Sequence, residues 1–213
     1  MVHAAAWTAI VPVRDFGTAK SRLRVALPAR TVSEIARRLA QGAVRALERT
    51  PRVGNIIVVS DVYLGRCFPG SRAHFLVQRP GGGLNGAVRE GLEAARAIFP
   101  STPRLVIHAD LPGITPDEVE RLLVGVERSD LDTYVPDRAG TGTTALALLR
   151  DSEREVAFGA GSAIRHVGLG YAPAVLPPGS VLRNDVDTLD ALRALHWGAI
   201  LDNRSRPPEP IAA

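Results

Sequence analysis

The sequence is nearly free of the residues from which sulfur chemistry or a base-stacking surface is built. Cys67 is its single cysteine, which excludes an intrachain disulfide framework and a cysteine-based metal cluster and is consistent with a reducing cytoplasm. Aromatic residues make up 5% of the chain, too few to suggest a nucleic-acid groove lined with stacking platforms. No window approaches the apolar run that spans a bilayer, and Met1 to Trp7 has no basic region followed by a long apolar segment. Neither the Walker P-loop nor the dinucleotide fingerprint is present, because the glycine spacings are wrong. Internal repeats and long linkers are missing too. The expectation is a soluble, cytoplasmic protein with no membrane or nucleic-acid partner.

What remains is ordinary globular material. With 213 residues, 46% hydrophobic and 23% charged, the chain suits one compact domain or a domain with a small lobe. The formal net charge of +4 comes mainly from arginines spread along the chain, a weak nucleic-acid footprint. Cations of this kind suit solvent and an anionic small molecule.

Strand-like and helix-like segments alternate. Trp7–Val13 reads as a first strand running into a loop that holds Arg14, Lys20 and Arg22, cations able to grip a triphosphate. Thr31 and Glu34 form a capping-box pattern ahead of a helical face made by Ile35, Leu39, Ala43 and Leu47. Asn55–Ser60 and Ala73–Gln78 read as strands, with a partial helix and a turn between them. Pro80-Gly81-Gly82-Gly83-Leu84-Asn85 opens a helix carrying Val88, Leu92, Ala95 and Ile98, and its glycines allow backbone amides close to a ligand. Asn85 could serve a base edge or a ribose.

Arg104–Ile107 is an apolar run that ends in His108-Ala109-Asp110-Leu111-Pro112. It reads as a buried strand delivering Asp110 beyond its carboxyl end, where open α/β sheets place ligands. Thr115-Pro116-Asp117-Glu118 is a second capping box, leading a helix through Val119, Leu122, Leu123 and Val126. Asp132–Pro136 is a further strand. It is followed by the hydroxyl-rich loop Asp137-Arg138-Ala139-Gly140-Thr141-Gly142-Thr143-Thr144, which could bind a phosphate or carboxylate or simply turn a hairpin. Phe158-Gly159-Ala160-Gly161-Ser162 is a second glycine and serine loop before a helix. His166 beyond it has no acid partner and reads as structural. Val181 to Asp187 is an apolar, extended segment whose Asp185 and Asp187 would share one side. Leu189–Trp197 reads as a closing helix. A domain over 1–202 and a flexible tail over 203–213 follow.

Asp110, Asp185 and Asp187 are hard oxygen ligands suited to magnesium, which bridges carboxylates and substrate phosphates. No nucleophile stands beside its own base, so direct in-line transfer fits better than a covalent intermediate.

In their order, Val11-Pro12-Val13 with Ala19-Lys20-Ser21-Arg22-Leu23, Gly83-Leu84-Asn85, Ala109-Asp110-Leu111-Pro112, Asp137 with Gly140 to Thr143, Phe158-Gly159 with Ser162 and His166, and Asp185-Val186-Asp187-Thr188 resemble the 2-phospho-L-lactate or phosphoenolpyruvate guanylyltransferase family. That family makes the first activated intermediate of the deazaflavin coenzyme factor 420. The resemblance implies an α/β, single-domain nucleotidyltransferase fold, glycosyltransferase-A-like and Rossmann-like, with a mixed, mostly parallel central sheet flanked by helices. It implies GTP as donor, a phosphorylated three-carbon acid as acceptor and Mg2+ as cofactor. Lys20, Asp110 and Asp187 would be catalytic, and Asp110, Asp185 and Asp187 would hold the metal. Pro12, Val13, Lys20, Arg22, Gly83, Asn85 and Asp110 would bind the nucleotide, and Thr143, Gly159 and Ser162 the acid. Arg14, Thr144 and Leu189 depart from the family's frequent Lys, Asn and Pro.

The rivals are weaker. A haloacid-dehalogenase-like phosphatase would begin, not end, with the Asp185-Val186-Asp187-Thr188 pattern. Molybdopterin or sugar nucleotidyltransferases usually open with a glycine-rich loop that Val11 to Leu23 does not match. A nucleotide-binding domain without turnover is disfavoured because the three aspartates and Lys20 are present. Homodimerisation is left open.

Overall fold

The computed structural model describes residues 6–21, 23–177 and 179–185. Seven strands form one sheet: β1 (Trp7–Val13), β2 (Val53–Ser60), β3 (His74–Val77), β4 (Arg104–Ile107), β5 (Thr133–Pro136), β6 (Thr143–Leu148) and β7 (Ala172–Pro173), in the order β3-β2-β1-β4-β6-β5-β7. The pairs β1-β2, β2-β3, β1-β4 and β5-β7 are parallel, while β6 runs antiparallel to both β4 and β5. This is the expected mixed, mostly parallel sheet.

The helices are α1 (Ala29–Arg49), α2 (Gly83–Ile98), α3 (Pro116–Ser129) and α4 (Ser162–Gly168). Every residue of β1 is buried, because the strand is covered on both faces. Trp7, Ala9, Val11 and Val13 belong to the core beneath α1 and α3; Ile10 joins the opposite core with Val88 and Leu92 of α2 and Ala163 of α4. Helix α2 lies very close to the sheet at Gly91. A Cβ there would stand 2.4 Å from Ile10 Cγ2, so only glycine fits.

This connectivity sets the position of chemistry. From β1 the chain passes through α1 to β2 and on to β3, and α2 then returns it to β4 on the other side of β1. The strand order therefore reverses between β1 and β4, and a crevice opens beyond their carboxyl ends. Val13 and Asp110 both leave the sheet at that point.

Three local expectations need correction or division. The Thr31–Glu34 capping box does not form, because α1 begins earlier, at Ala29 behind Pro28, with no side-chain cap. Proline fixes an entry dihedral and lacks an N–H of its own, while Glu34 is drawn along the helix to Arg37 and Arg38, each at 2.7 Å. The second box forms by half: Thr115 Oγ1 accepts from the Glu118 N–H at 3.3 Å, but the Glu118 carboxylate turns to Arg121 and Ser180. Val181–Arg183 is a 3-10 turn rather than an extended segment. Ser180 caps it through the Leu182 N–H, and Leu182 buries in the core, an anchoring that a straight strand would not provide. Arg22, Asp187, Leu189–Trp197 and the boundary at 202–203 lie outside the described residues. Among the described residues no helix is long and apolar enough to cross a membrane.

Candidate active site

A cleft of about 360 Å³ occupies the switch point, lined by Pro12, Val13, Lys20, His108, Asp110 and Asp185 among others. Its centre is an ion pair. Lys20 Nζ donates to Asp110 Oδ2 at 2.9 Å, with the lysine side chain only 7% exposed. The pair is held from both sides in the sequence. Lys20 has φ 53°, a left-handed conformation that costs a non-glycine residue about 1 kcal/mol. The surrounding loop imposes it: Asp15 accepts the backbone N–H groups of Thr18 and Ala19, and the Arg24 guanidinium bonds the carbonyls of Phe16, Gly17 and Ala19. Strain of this kind, over-determined by its neighbours, is typical of functional loops.

Asp110 is delivered by β4, whose four residues are all buried. Burial works against its ionisation, but the Lys20 ammonium, His108 and the hydrogen bonds outweigh that effect and hold the carboxyl below its ordinary range. The side chain is an anion. Its other oxygen, Oδ1, is buried without a hydrogen-bond partner, 4.0 Å from His108 Nδ1. A buried, unpaired carboxylate oxygen is costly unless a cation or donor arrives to meet it.

Asp185 reaches the same cleft on the segment beyond the 3-10 turn. That segment is tied down by buried Thr144, whose hydroxyl lies 2.5 Å from the Leu182 carbonyl, and by Arg183, which donates to the Asp137 carbonyl at 3.3 Å. Thr144 thus serves the frame rather than the cleft. Among the described residues no group of three acidic, histidine or cysteine side chains is assembled to hold a metal. The expected third carboxylate, Asp187, lies outside them.

The two loops singled out as anion binders meet beside this cleft. Asp137 to Thr143 is the hairpin between β5 and β6, and Asp137 Oδ1 accepts the Thr141 N–H at 2.9 Å. The hairpin is joined to β4 by the His108 N–H to the Thr144 carbonyl at 3.0 Å, and to α4 by the Ala163 N–H to the Thr141 carbonyl at 3.1 Å. Gly159 and Gly161 take positive φ, and Arg165 folds back on the loop to bond the carbonyls of Ala157 and Ala160. Thr143 and Ser162 are buried. The Phe158 ring stands between His108, at 5.1 Å, and His166, at 5.3 Å, so this loop abuts the strand end that carries Asp110.

Gly83 begins α2 with φ 56°. Asn85 does not spend its amide on the cleft: Nδ2 donates to the Phe158 carbonyl at 3.1 Å, and Oδ1 accepts the Phe158 N–H at 2.8 Å. It clamps the second glycine loop to α2. Three residues outside the expected site also frame it: His108, Arg24 and Arg165. His108 had a visible signal, an imidazole at the end of an apolar strand two residues before Asp110. The two arginines act only on carbonyls that the fold brings near, and no sequence pattern marks them.

A sequence profile described as "Guanylyl transferase CofC like" matches residues 7–171, which is most of the chain and includes Lys20, Asp110 and both anion loops. The chain belongs to the CofC-like guanylyl transferase family. It is 36% identical over 189 residues to a phosphoenolpyruvate guanylyltransferase of Streptomyces coelicolor, covering 88% of this chain and 89% of that one. It is 38% identical over 184 residues to another of Salinispora arenicola, covering 85% and 84%. Solved structures similar in fold include a protein described as a nucleotide-diphospho-sugar transferase of Desulfovibrio desulfuricans G20, with TM-score 0.63, 13% identity and coverage of 92% and 97%. Another is 4-diphosphocytidyl-2C-methyl-D-erythritol synthase of Anaerococcus prevotii, with TM-score 0.57, 11% identity and coverage of 92% and 97%. These two speak for the fold alone.

Proposed function

We propose that this guanylyltransferase moves GMP from GTP to the phosphate of phosphoenolpyruvate and releases pyrophosphate, in the cytoplasm, as a step towards a deazaflavin coenzyme. 2-Phospho-L-lactate is the second acceptor to consider. The observation that carries the reading is the part-buried Lys20–Asp110 pair, with the buried Oδ1 of Asp110 unsatisfied, at the switch point beside the Thr143 and Gly159–Ser162 loops. The names of the relatives favour phosphoenolpyruvate as acceptor.

In this reading an oxygen of the acceptor phosphate attacks the α-phosphorus of GTP. The bond from that phosphorus to the bridging oxygen of the β-phosphate breaks, and pyrophosphate leaves with the electron pair. The attacking group is already an anion, so no general base is required. Lys20 steadies the phosphates as a point charge, with Pro12, Val13, Arg22 and Gly83 around the nucleotide, while Asn85 holds the neighbouring glycine loop in place. Thr143, Gly159 and Ser162 hold the acid through hydroxyl and backbone donors.

The unpaired Oδ1 of Asp110 and the neighbouring Asp185 are hard oxygen donors, and with Asp187 they would hold magnesium. Such an ion supplies neutralisation of the phosphate charge and of the leaving group. The test is pyrophosphate release by purified protein with magnesium and each nucleoside triphosphate in turn. Release is expected with GTP only when one of the two acids is present. Equal release without an acceptor, or none with either acid, would overturn the assignment.

A further inference from the structure

His166 is one of the most thoroughly enclosed polar side chains described. Its ring is fully buried among Phe158, Tyr171 and Tyr134, at centroid distances of 5.3, 5.4 and 6.4 Å. Both ring nitrogens have partners. The backbone N–H of Ala157 lies 3.1 Å from Nε2, and Thr143 Oγ1 lies 2.8 Å from Nδ1. A backbone N–H can only donate, so Nε2 must be the unprotonated, accepting nitrogen. In a neutral imidazole the proton then sits on Nδ1 and is donated to Thr143.

That assignment decides what Thr143 can offer. A hydroxyl has one proton and two lone pairs. With Nδ1–H filling a lone pair, the proton of Thr143 stays available to an anion. In the opposite tautomer Thr143 would spend its proton on the ring and present only lone pairs, which repel a phosphate or carboxylate. Resting on the functional reading above, we infer that His166 is a positioning residue that aims the Thr143 hydroxyl proton at the anionic acceptor. The ring stays neutral in this role. Burial first, and the nearby charges of Arg165 and His108 second, push its pKa down to about 4. Arg165 is itself occupied with the carbonyls of the glycine loop.

The two amide substitutions separate the ring's two bonds. His166→Asn places a donor near the Nδ1 position and drops the Nε2 acceptor, whereas His166→Gln places an acceptor near the Nε2 position and drops the donor to Thr143. Full-length protein labelled with 15N-histidine should show His166 as the Nδ1–H tautomer. In steady-state kinetics, His166→Gln should raise the acceptor KM about tenfold or more, the size of one charge-assisted hydrogen bond, with the KM for GTP within about twofold of the parent. His166→Asn should stay within about threefold of the parent for both, and Thr143→Val should add little to His166→Gln. An Nε2–H tautomer, or equal losses in the Asn and Gln variants, overturns the role. If His166→Gln does not fold, the tautomer of the parent protein decides. Acceptor-dependent turnover in the parent with indistinguishable variants sinks this inference alone. No such turnover in the parent sinks the functional reading and the inference with it.

Discussion

Of the 26 lysine and arginine residues, Lys20 alone is a lysine. In a chain that otherwise uses guanidinium, an ammonium at 2.9 Å from a half-buried carboxylate marks a site where a compact point charge is needed and a planar fork does not fit. Lys20→Arg is therefore expected to lower kcat about 10- to 100-fold although it conserves charge, as steady-state pyrophosphate assays would show. Asp110→Asn should lower kcat by about 1000-fold or more while the thermal melt stays near that of the parent, since it removes a charge but little volume. Retention of activity would remove Asp110 from the mechanism. His166 makes a separate prediction about stability. Its folded pKa is about 4, against about 6.5 for an unperturbed histidine, so between those values the unfolded chain takes up a proton that the native ring refuses. The contribution is present above pH 6.5 and is lost as the pH falls toward 4, on the order of 3 kcal/mol in all. Urea titrations between pH 7 and 5 should show this slope, and His166→Asn should flatten it. Lys20, Asp110, Thr143 and Ser162 could be picked out as residues from motif order. Their actual partners could not, because a hydrogen bond between residues 90 apart in sequence leaves no local trace.

At the scale of elements, α2 carries two demands at once. Its Gly91 must let the helix settle on Ile10, so Gly91→Ala should destabilise the protein by about 1–3 kcal/mol through overpacking, measurable as a lower denaturant midpoint at unchanged m-value. Its first turn holds the Phe158 backbone through Asn85. Asn85→Leu should consequently raise the acceptor KM more than the GTP KM; the reverse pattern would return Asn85 to the role of a base reader. Strands β1 and β4 and helices α2 and α3 were legible because burial on both strand faces and periodicity on one helix face are recorded locally. The start of α1 was not, since Pro28 competed with a plausible capping box. The turn at Val181–Arg183 was not either, because its cause is the burial of Leu182 in a core assembled from distant segments.

At the scale of the whole molecule, the crevice exists because the chain builds β2 and β3 on one side of β1 and then crosses over to β4. Ligands that bridge the crevice should stabilise the fold by linkage. Magnesium and GTP at about 100 times their dissociation constant would add about 2.7 kcal/mol, a rise in melting temperature of about 5–10 °C for a domain of this size. Addition of a chelator should abolish the rise if Asp110 and Asp185 hold the ion. By itself the sequence determined the α/β class, the succession of strands and helices, and the set of polar residues available for chemistry, for these depend on composition, periodicity and motif order along the chain. Only the tertiary structure decided which of those residues meet, namely that Lys20 closes on Asp110, that Asn85 grips a loop instead of facing the cleft, and that His166 is bound to Thr143. The physical reason is that such pairings depend on strand order and register, and these are set by the burial of apolar surface over the whole domain rather than by any one stretch of it.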